Sequence, residues 1–292
     1  SVEDVTEAPV AAGGATSAGG SAEPVELAAP GRRAVREPER QGRLARMPPL
    51  AAWQAVAGPL AKQVRQAPLA REVSVERLVE IMLELQGMEC HNVNLVSPTH
   101  YAPQIARAVE DARNQGLRVP IVYNTHGYDT PEALAWMQGK VDIYLADVKY
   151  ENDANARRFT GIEGYSEVNH EALRIMFSQV GHLEEDTRTG LASRGLLVRI
   201  LVLPEGLEGA KASLETLKHH FSTVLCVSLM AQYAPVFKAH EHPALDRTLL
   251  ESEYEDVVDF ALGLGFTRLW LQEPAAAHVG VPDFAADMPF AF

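Results

Sequence analysis

At 292 residues, 47% of them hydrophobic, the chain has material for one large α/β core, and a single main domain is expected. Its net charge of −13 is unevenly spread: residues 1–70 carry 8 basic and 7 acidic side chains, residues 71–292 carry 18 and 32. An acidic body argues against nucleic acid as a partner, no apolar run approaches the roughly 18 residues of a membrane span, and two cysteines make no disulfide framework, so the chain reads as soluble in a reducing compartment, cytoplasm or organelle matrix.

Residues 1–46 form an extended low-complexity arm. The run AAGGATSAGGSAEPVELAAPG is too poor in large apolar groups to offset chain entropy by itself. Arg32, Arg33, Arg36, Arg40, Arg43 and Arg46 follow within fifteen positions. They read either as a solvated charged linker or as a docking element for an acidic surface, and protein partners are expected to be contacted through this arm. Residues 47–70 are a Pro-containing linker, and residues 274–292 a C-terminal tail.

From Arg71 to Glu273 helices and strands alternate. Ser74 is placed to cap a helix with the apolar face Val75, Leu78, Val79, Met82 and Leu85, stopped by Gly87. The strand HNVNLV comes next, followed by a helical stripe of Tyr101, Ile105, Ala108, Val109 and Ala112 closed by Gly116, and the strand PIVYN. Thr130 and Pro131 open a short helix before the strand VDIYLAD. A helix through Val168, Ala172, Ile175, Met176 and Val180 precedes the strand GLLVRILVL. Leu214, Leu217 and Phe221 mark another helix before VLCVSLM. Thr248 and Glu251 have capping-box spacing ahead of Tyr254, Val257, Val258, Ala261 and Leu262; Gly265 is the stop and TRLWLQ the last strand.

Strands that are apolar nearly throughout, joined by helices, predict a parallel sheet covered by helices, either a barrel or a doubly wound open sheet. The polar residues choose between them. Ser97, Thr99 and His100, Asn124, Thr125 and His126, Asp147 and Lys149, Glu205, Gln232 and Tyr233, and Gln272 and Glu273 all stand just past strand ends. Such a ring is how a barrel mouth is built, and no Gly-rich phosphate fingerprint follows any strand.

Six segments of this ring, EVSVERLVEIMLELQG, NVNLVSPTHYAPQI, VYNTHGYD, VDIYLADVKY, GLLVRILVLP and VSLMAQYAP, resemble the radical S-adenosylmethionine proteins related to pyruvate formate-lyase activating enzyme. The resemblance implies a partial (β/α) barrel. It also implies a [4Fe-4S] cluster held by a CxxxCxxC motif, since soft thiolates suit iron-sulfur clusters. The matching region here, MPPLAAWQAVAGPLAKQVRQAPLA, has no cysteine, and Pro48, Pro49, Pro59 and Pro68 argue against a buried central strand there. The linker thus replaces the usual cluster-binding strand, and no cluster is expected.

Asn124, Thr125, Asp147, Lys149 and Arg199 match family positions around S-adenosylmethionine, and the resemblance implies a vestigial cleft for it; equally, Asp147 and Arg199 could be a buried ion pair. Departures fall at the mouth, at His126, Ala146, Val148, Ile200 and Glu205. The expectation is a pseudoenzyme: a degenerate barrel with no catalytic residue, no resident metal and no cofactor of its own, serving as a structural or accessory subunit of a larger assembly. The alternative is an active enzyme of this family whose cluster motif is missing from this sequence. A third chemistry at the same mouth would use Lys149 as a Schiff-base amine or His100, His126, Asp147 and Glu205 as ligands of a divalent metal. The HEH string at His240–His242 reads as surface.

Overall fold

The computed structural model describes residues 73–204, 207–235 and 237–272. The arm, the 47–70 linker, Glu205, Glu273 and the C-terminal tail lie outside the described residues. The order is α1 (Val75–Gly87), β1 (Val93–Val96), α2 (Ala102–Asn114), β2 (Ile121–Thr125), α3 (Pro131–Met137), β3 (Ile143–Val148), α4 (Asp153–Thr160), α5 (Tyr165–Val180), β4 (Glu184–Glu185), β5 (Ala192–Leu201), α6 (Leu207–Phe221), β6 (Cys226–Met230), α7 (Glu251–Leu264) and β7 (Leu269–Leu271). Among the described residues no helix is long and apolar enough to cross a membrane.

Six strands pair in parallel in the order β1-β2-β3-β5-β6-β7, which is the order in the chain; β4 pairs antiparallel with the start of β5. Every crossover therefore steps in the same direction. With right-handed crossovers this puts all connecting helices on one face, whereas a doubly wound sheet must reverse direction at a switch point. Burial agrees. Tyr123, Tyr144, Val198 and Leu229 pack in one cluster with Met82 of α1, Val109 of α2, Met176 of α5, Leu214 of α6 and Val257 of α7. The strand residues of opposite parity, Val122, Leu145, Leu197, Cys226 and Trp270, form a smaller cluster floored by Leu183 and Ala192 of the β4–β5 hairpin. The sheet is open among the described residues, an α/β partial barrel with a helix-covered outer face and an inner face. Fully burying each large apolar side chain of the outer cluster contributes about 1.5–3 kcal/mol, so this face holds the fold together.

Local chemistry sets the element ends. Ser74 accepts from Arg77 N and Thr130 from Ala133 N, as expected of N-caps, and Gly265 is the C-cap of α7. The box predicted from Thr248 and Glu251 does not form. α7 starts after Leu250, whose N–H donates to Glu253 Oε2, and Arg247 pairs with the same carboxylate, so the acid two residues further on does the capping. Tyr101 is not in the stripe of α2; it precedes the helix and is exposed. In α5 the core position expected of Val168 belongs to Asn169, which is completely buried. β5 begins three residues earlier than the apolar run because its start pairs with β4. At Gly195 (φ 123°) the backbone of His182 and Leu183 comes so close that a Cβ would clash with His182 O.

Candidate functional site at the carboxyl ends of the strands

In a parallel sheet side chains in register share a face, and those two residues apart share it too. Asn124 is in register with Leu145, and Asp147 with Arg199 and through it with Ser228. All of these belong to the inner face, at the carboxyl ends of β2, β3, β5 and β6. The structure brings four of the five expected residues into one cluster. Arg199 Nε donates to Asp147 Oδ1 at 2.6 Å, its Nη2 donates to Asn124 Oδ1 at 2.8 Å, and Lys149 Nζ lies 3.9 Å from Asp147 Oδ2. Arg199 and Asp147 are 13% and 15% exposed, which makes theirs the mostly buried ion pair crossing the inner face. Burial pushes the Lys149 ammonium below its ordinary pKa, with Arg199 adding to the effect and Asp147 opposing it.

Thr125 is not in this cluster. It is in register with Ala146, on the outer face, and donates to Asp129 Oδ2 at 2.5 Å. Asp129 is 1% exposed; its Oδ1 accepts from Thr99 at 2.5 Å and from Tyr123 Oη at 2.9 Å. A buried carboxylate is thus held by three hydroxyls, and among the described residues no cation pairs with it. Burial first, and Asp129 second, push the Tyr123 phenol above its ordinary pKa, so it stays a donor.

The loops after β2 and β3 are tied together by α5. Asn169 Nδ2 donates to Gly127 O at 2.9 Å and to Asp147 O at 3.0 Å. Tyr165 Oη donates to His126 O at 3.4 Å and accepts from Lys149 N at 3.1 Å, while its ring stacks on Tyr128. Gly127 has φ 75°, and a Cβ there would sit 2.3 Å from both Asp147 O and Asn169 Nδ2, so the two strand ends approach more closely than any other residue allows. His126 Nδ1 accepts from Tyr128 N, which places its ring proton on Nε2, and burial lowers its pKa.

The remaining ring residues scatter. His100 is exposed. Gln272 donates to Gln232 and accepts from Ala231 N, and Tyr233 donates to Leu245 O, all of which close the β6 and β7 ends structurally. Among the described residues no group of three or more His, Cys, Asp or Glu side chains is placed to hold a metal ion. The two thiols lie on opposite faces of the sheet: Cys90 in the outer cluster, Cys226 in the inner one, where burial pushes its thiol up to about 12. Asp129, Gly127, Tyr165 and Asn169 were not singled out by sequence. The signal for the last two was present, since Tyr165 and Asn169 stand four apart in the stripe that runs on through Leu173, Met176 and Val180.

No protein-family model matches the chain. An uncharacterized protein of Methanocaldococcus jannaschii is 27% identical over 175 residues, which cover 58% of this chain and 46% of the relative, so the chain spans about half the length of that relative. A crystal structure of a domain of pyruvate-formate lyase-activating enzyme from Bacteroides vulgatus superposes with a TM-score of 0.44 at 14% identity, covering 62% of this chain and 99% of that one.

Proposed function

We propose that this chain is a degenerate radical S-adenosylmethionine-like barrel that works without an iron-sulfur cluster of its own, as a non-catalytic structural or accessory subunit of a larger assembly. The observation that carries the reading is the placement of its two thiols. A cluster site of the implied kind needs three thiolates converging on one point. Here there are two, both buried, on opposite sides of a sheet, and one of them is driven further from the thiolate form by its surroundings. The mouth supports the same reading. The cation and carboxylate best placed to meet a ligand, Arg199 and Asp147, already pair with each other, and Asn124 accepts a second guanidinium N–H.

The test is anaerobic reconstitution of the purified chain with iron and sulfide. The expected result is a colourless protein with no bound iron and no cleavage of S-adenosylmethionine; about four irons per chain would overturn it. The alternative, an active enzyme of the same family completed by a cluster motif outside this sequence, draws support from the cluster of Asn124, Asp147, Lys149 and Arg199, which keeps a ligand-sized set of polar groups at the mouth. Equilibrium dialysis with S-adenosylmethionine separates the two halves of the question. Binding that is lost in Asn124→Ala, without iron, means a retained cleft on a non-catalytic barrel. Native material that co-purifies in a complex with an iron-bearing chain favours the alternative.

A further inference from the structure

Two of the outer helices are bridged by one carboxylate away from the inner face. Glu151, in the loop between β3 and α4, reaches both α5 and α6. Its Oε1 accepts from Thr216 of α6 at 2.8 Å, and its Oε2 lies 3.1 Å from His170 Nε2 of α5. The Glu151 and His170 side chains are 18% and 19% exposed, so their contact is largely shielded from water. A carboxylate can only accept, which puts the ring proton of a neutral His170 on Nε2 and leaves the Nδ1 lone pair free.

The His170 ring stands 5.8 Å from the ring of His220, in the last turn of α6. Among the described residues neither His170 Nδ1 nor a ring nitrogen of His220 takes part in a hydrogen bond. His220 is exposed, and His170 Nδ1 is not sealed from solvent. Burial first, then His219 and His170, lower the pKa of His220, so its imidazole is neutral in neutral solution and has a lone pair to offer.

Two imidazoles that share a tetrahedral zinc, at about 2.0–2.1 Å per nitrogen, have ring centres roughly 5–6 Å apart. A carboxylate behind one of them is the usual outer support, since it fixes the tautomer and strengthens the ring as a ligand. The net charge of −13 favours a bound cation; close to His220, Arg174 opposes one and Glu151 offsets it. The His219 ring is also near that of His220, at 5.1 Å, but successive residues of a helix point different ways, so it is not counted as a ligand.

We propose that His170 Nδ1 and His220 bind one divalent transition metal of borderline softness, such as zinc, with Glu151 holding His170 from behind and water filling the remaining positions. Two protein ligands rather than three make the ion exchangeable. When bound, it cross-links α5 to α6 and, through Glu151, to the loop that carries Lys149. None of the three residues belongs to the inner cluster, so the site stands or falls apart from the handling of S-adenosylmethionine.

Calorimetric titration of zinc into the chelator-treated full chain tests this. One saturable site with a Kd on the order of 10 μM is expected, far weaker than a four-ligand structural site. His220→Ala and His170→Gln should each weaken it by about tenfold or more through loss of a ligand. Glu151→Gln should cost about tenfold, the usual effect of removing an outer support. His219→Ala and the double variant His240→Ala, His242→Ala should bind as the parent does. His220 is exposed, so its replacement tests the ligand without disturbing the core. Long-range ¹⁵N NMR of the histidine rings gives a second reading: zinc should shift His170 Nδ1 and leave His126 in place. No saturable site, equal uptake of magnesium, an unchanged Kd in His220→Ala, a loss in His219→Ala equal to that in His220→Ala, or a shift at His170 Nε2 in place of Nδ1 would each overturn the proposal.

Discussion

Two carboxylates stand at the ends of neighbouring strands, on opposite faces of one sheet, and they are held by different means. Asp147 on the inner face is met by a guanidinium and, more distantly, an ammonium; Asp129 on the outer face is met by three hydroxyls. The adjacent residues Asn124 and Thr125 part company at the end of β2, one joining each group. A buried carboxylate without a cation is costly, and three hydroxyl donors offset that cost and orient Asp129, so the outer network ties the 126–130 loop to β2 and to Thr99. A charge pair is costly to desolvate, and removing one partner leaves the other charge buried without compensation, so the inner cluster depends on both of its members. The contrast is of one scaffold that holds one acid by hydroxyls alone and the other by charge.

Gly127 is where the two regions meet. Its N–H donates to Thr125 Oγ1 at 3.1 Å, its carbonyl accepts from Asn169, and its α-carbon leaves no space against Asp147 O. Gly127→Ala should therefore damage both regions at once, through a left-handed backbone and a steric clash, at about 4 kcal/mol in urea denaturation. A loss below about 1 kcal/mol would mean that the loop relaxes freely and that the two regions are not mechanically joined.

Arg199→Met strikes the inner region alone. It leaves a mostly buried Asp147 facing Lys149 only at 3.9 Å, and about 3 kcal/mol of stability should be lost. The double variant Asp147→Asn, Arg199→Met should recover part of that loss, since an apolar or neutral pair needs no counter-charge. Equal losses in single and double variants would show that packing of the arginine stem matters more than its charge. Asp129→Asn is the matching change outside. It turns one acceptor oxygen into a donor facing the Thr125 hydroxyl, with an expected cost of about 2 kcal/mol and no effect on the Asp147–Arg199 pair.

The difference between the regions also explains how much could be read in advance. Strand identity, parallel pairing and the helix-covered face follow from apolar runs and 3.6-residue stripes, and Ser74, Thr130 and Gly265 were legible because a single side chain or glycine does the capping. The capping of α7 was not, because Glu253 does the work by reaching back to Leu250 and Arg247, a geometry that spacing from Thr248 does not specify. The inner cluster was visible as polar residues at strand ends, but which of Asn124 and Thr125 turns inward depends on strand parity, and that is set by register. The outer network was hidden for a different reason. Asp129 lies four residues beyond β2, and the groups that hold it come from a 3₁₀ turn, a strand centre and a strand end.

The smallest effect expected comes from His126, whose ring lies between the two regions. Burial lowers its pKa below the ordinary imidazole value; Asp129 pulls it back up, Lys149 pushes it down, and Asp147 and His100 act weakly in opposite senses. The unfolded chain takes up a proton on this residue near pH 6.5 whereas the folded chain does so only at lower pH, so between those two values the unfolded state binds more protons. This contribution to stability is fully present above about pH 7 and is lost as pH falls through the window below about 6.5. His126→Asn keeps an acceptor for the Tyr128 N–H and removes the titration. Stability curves of the two proteins should run parallel in neutral solution and converge or cross as the pH is lowered, the variant falling less steeply. If they stay parallel throughout, the imidazole is as well solvated folded as unfolded, and the loop between Asp129 and Asp147 is open to water rather than closed over both regions.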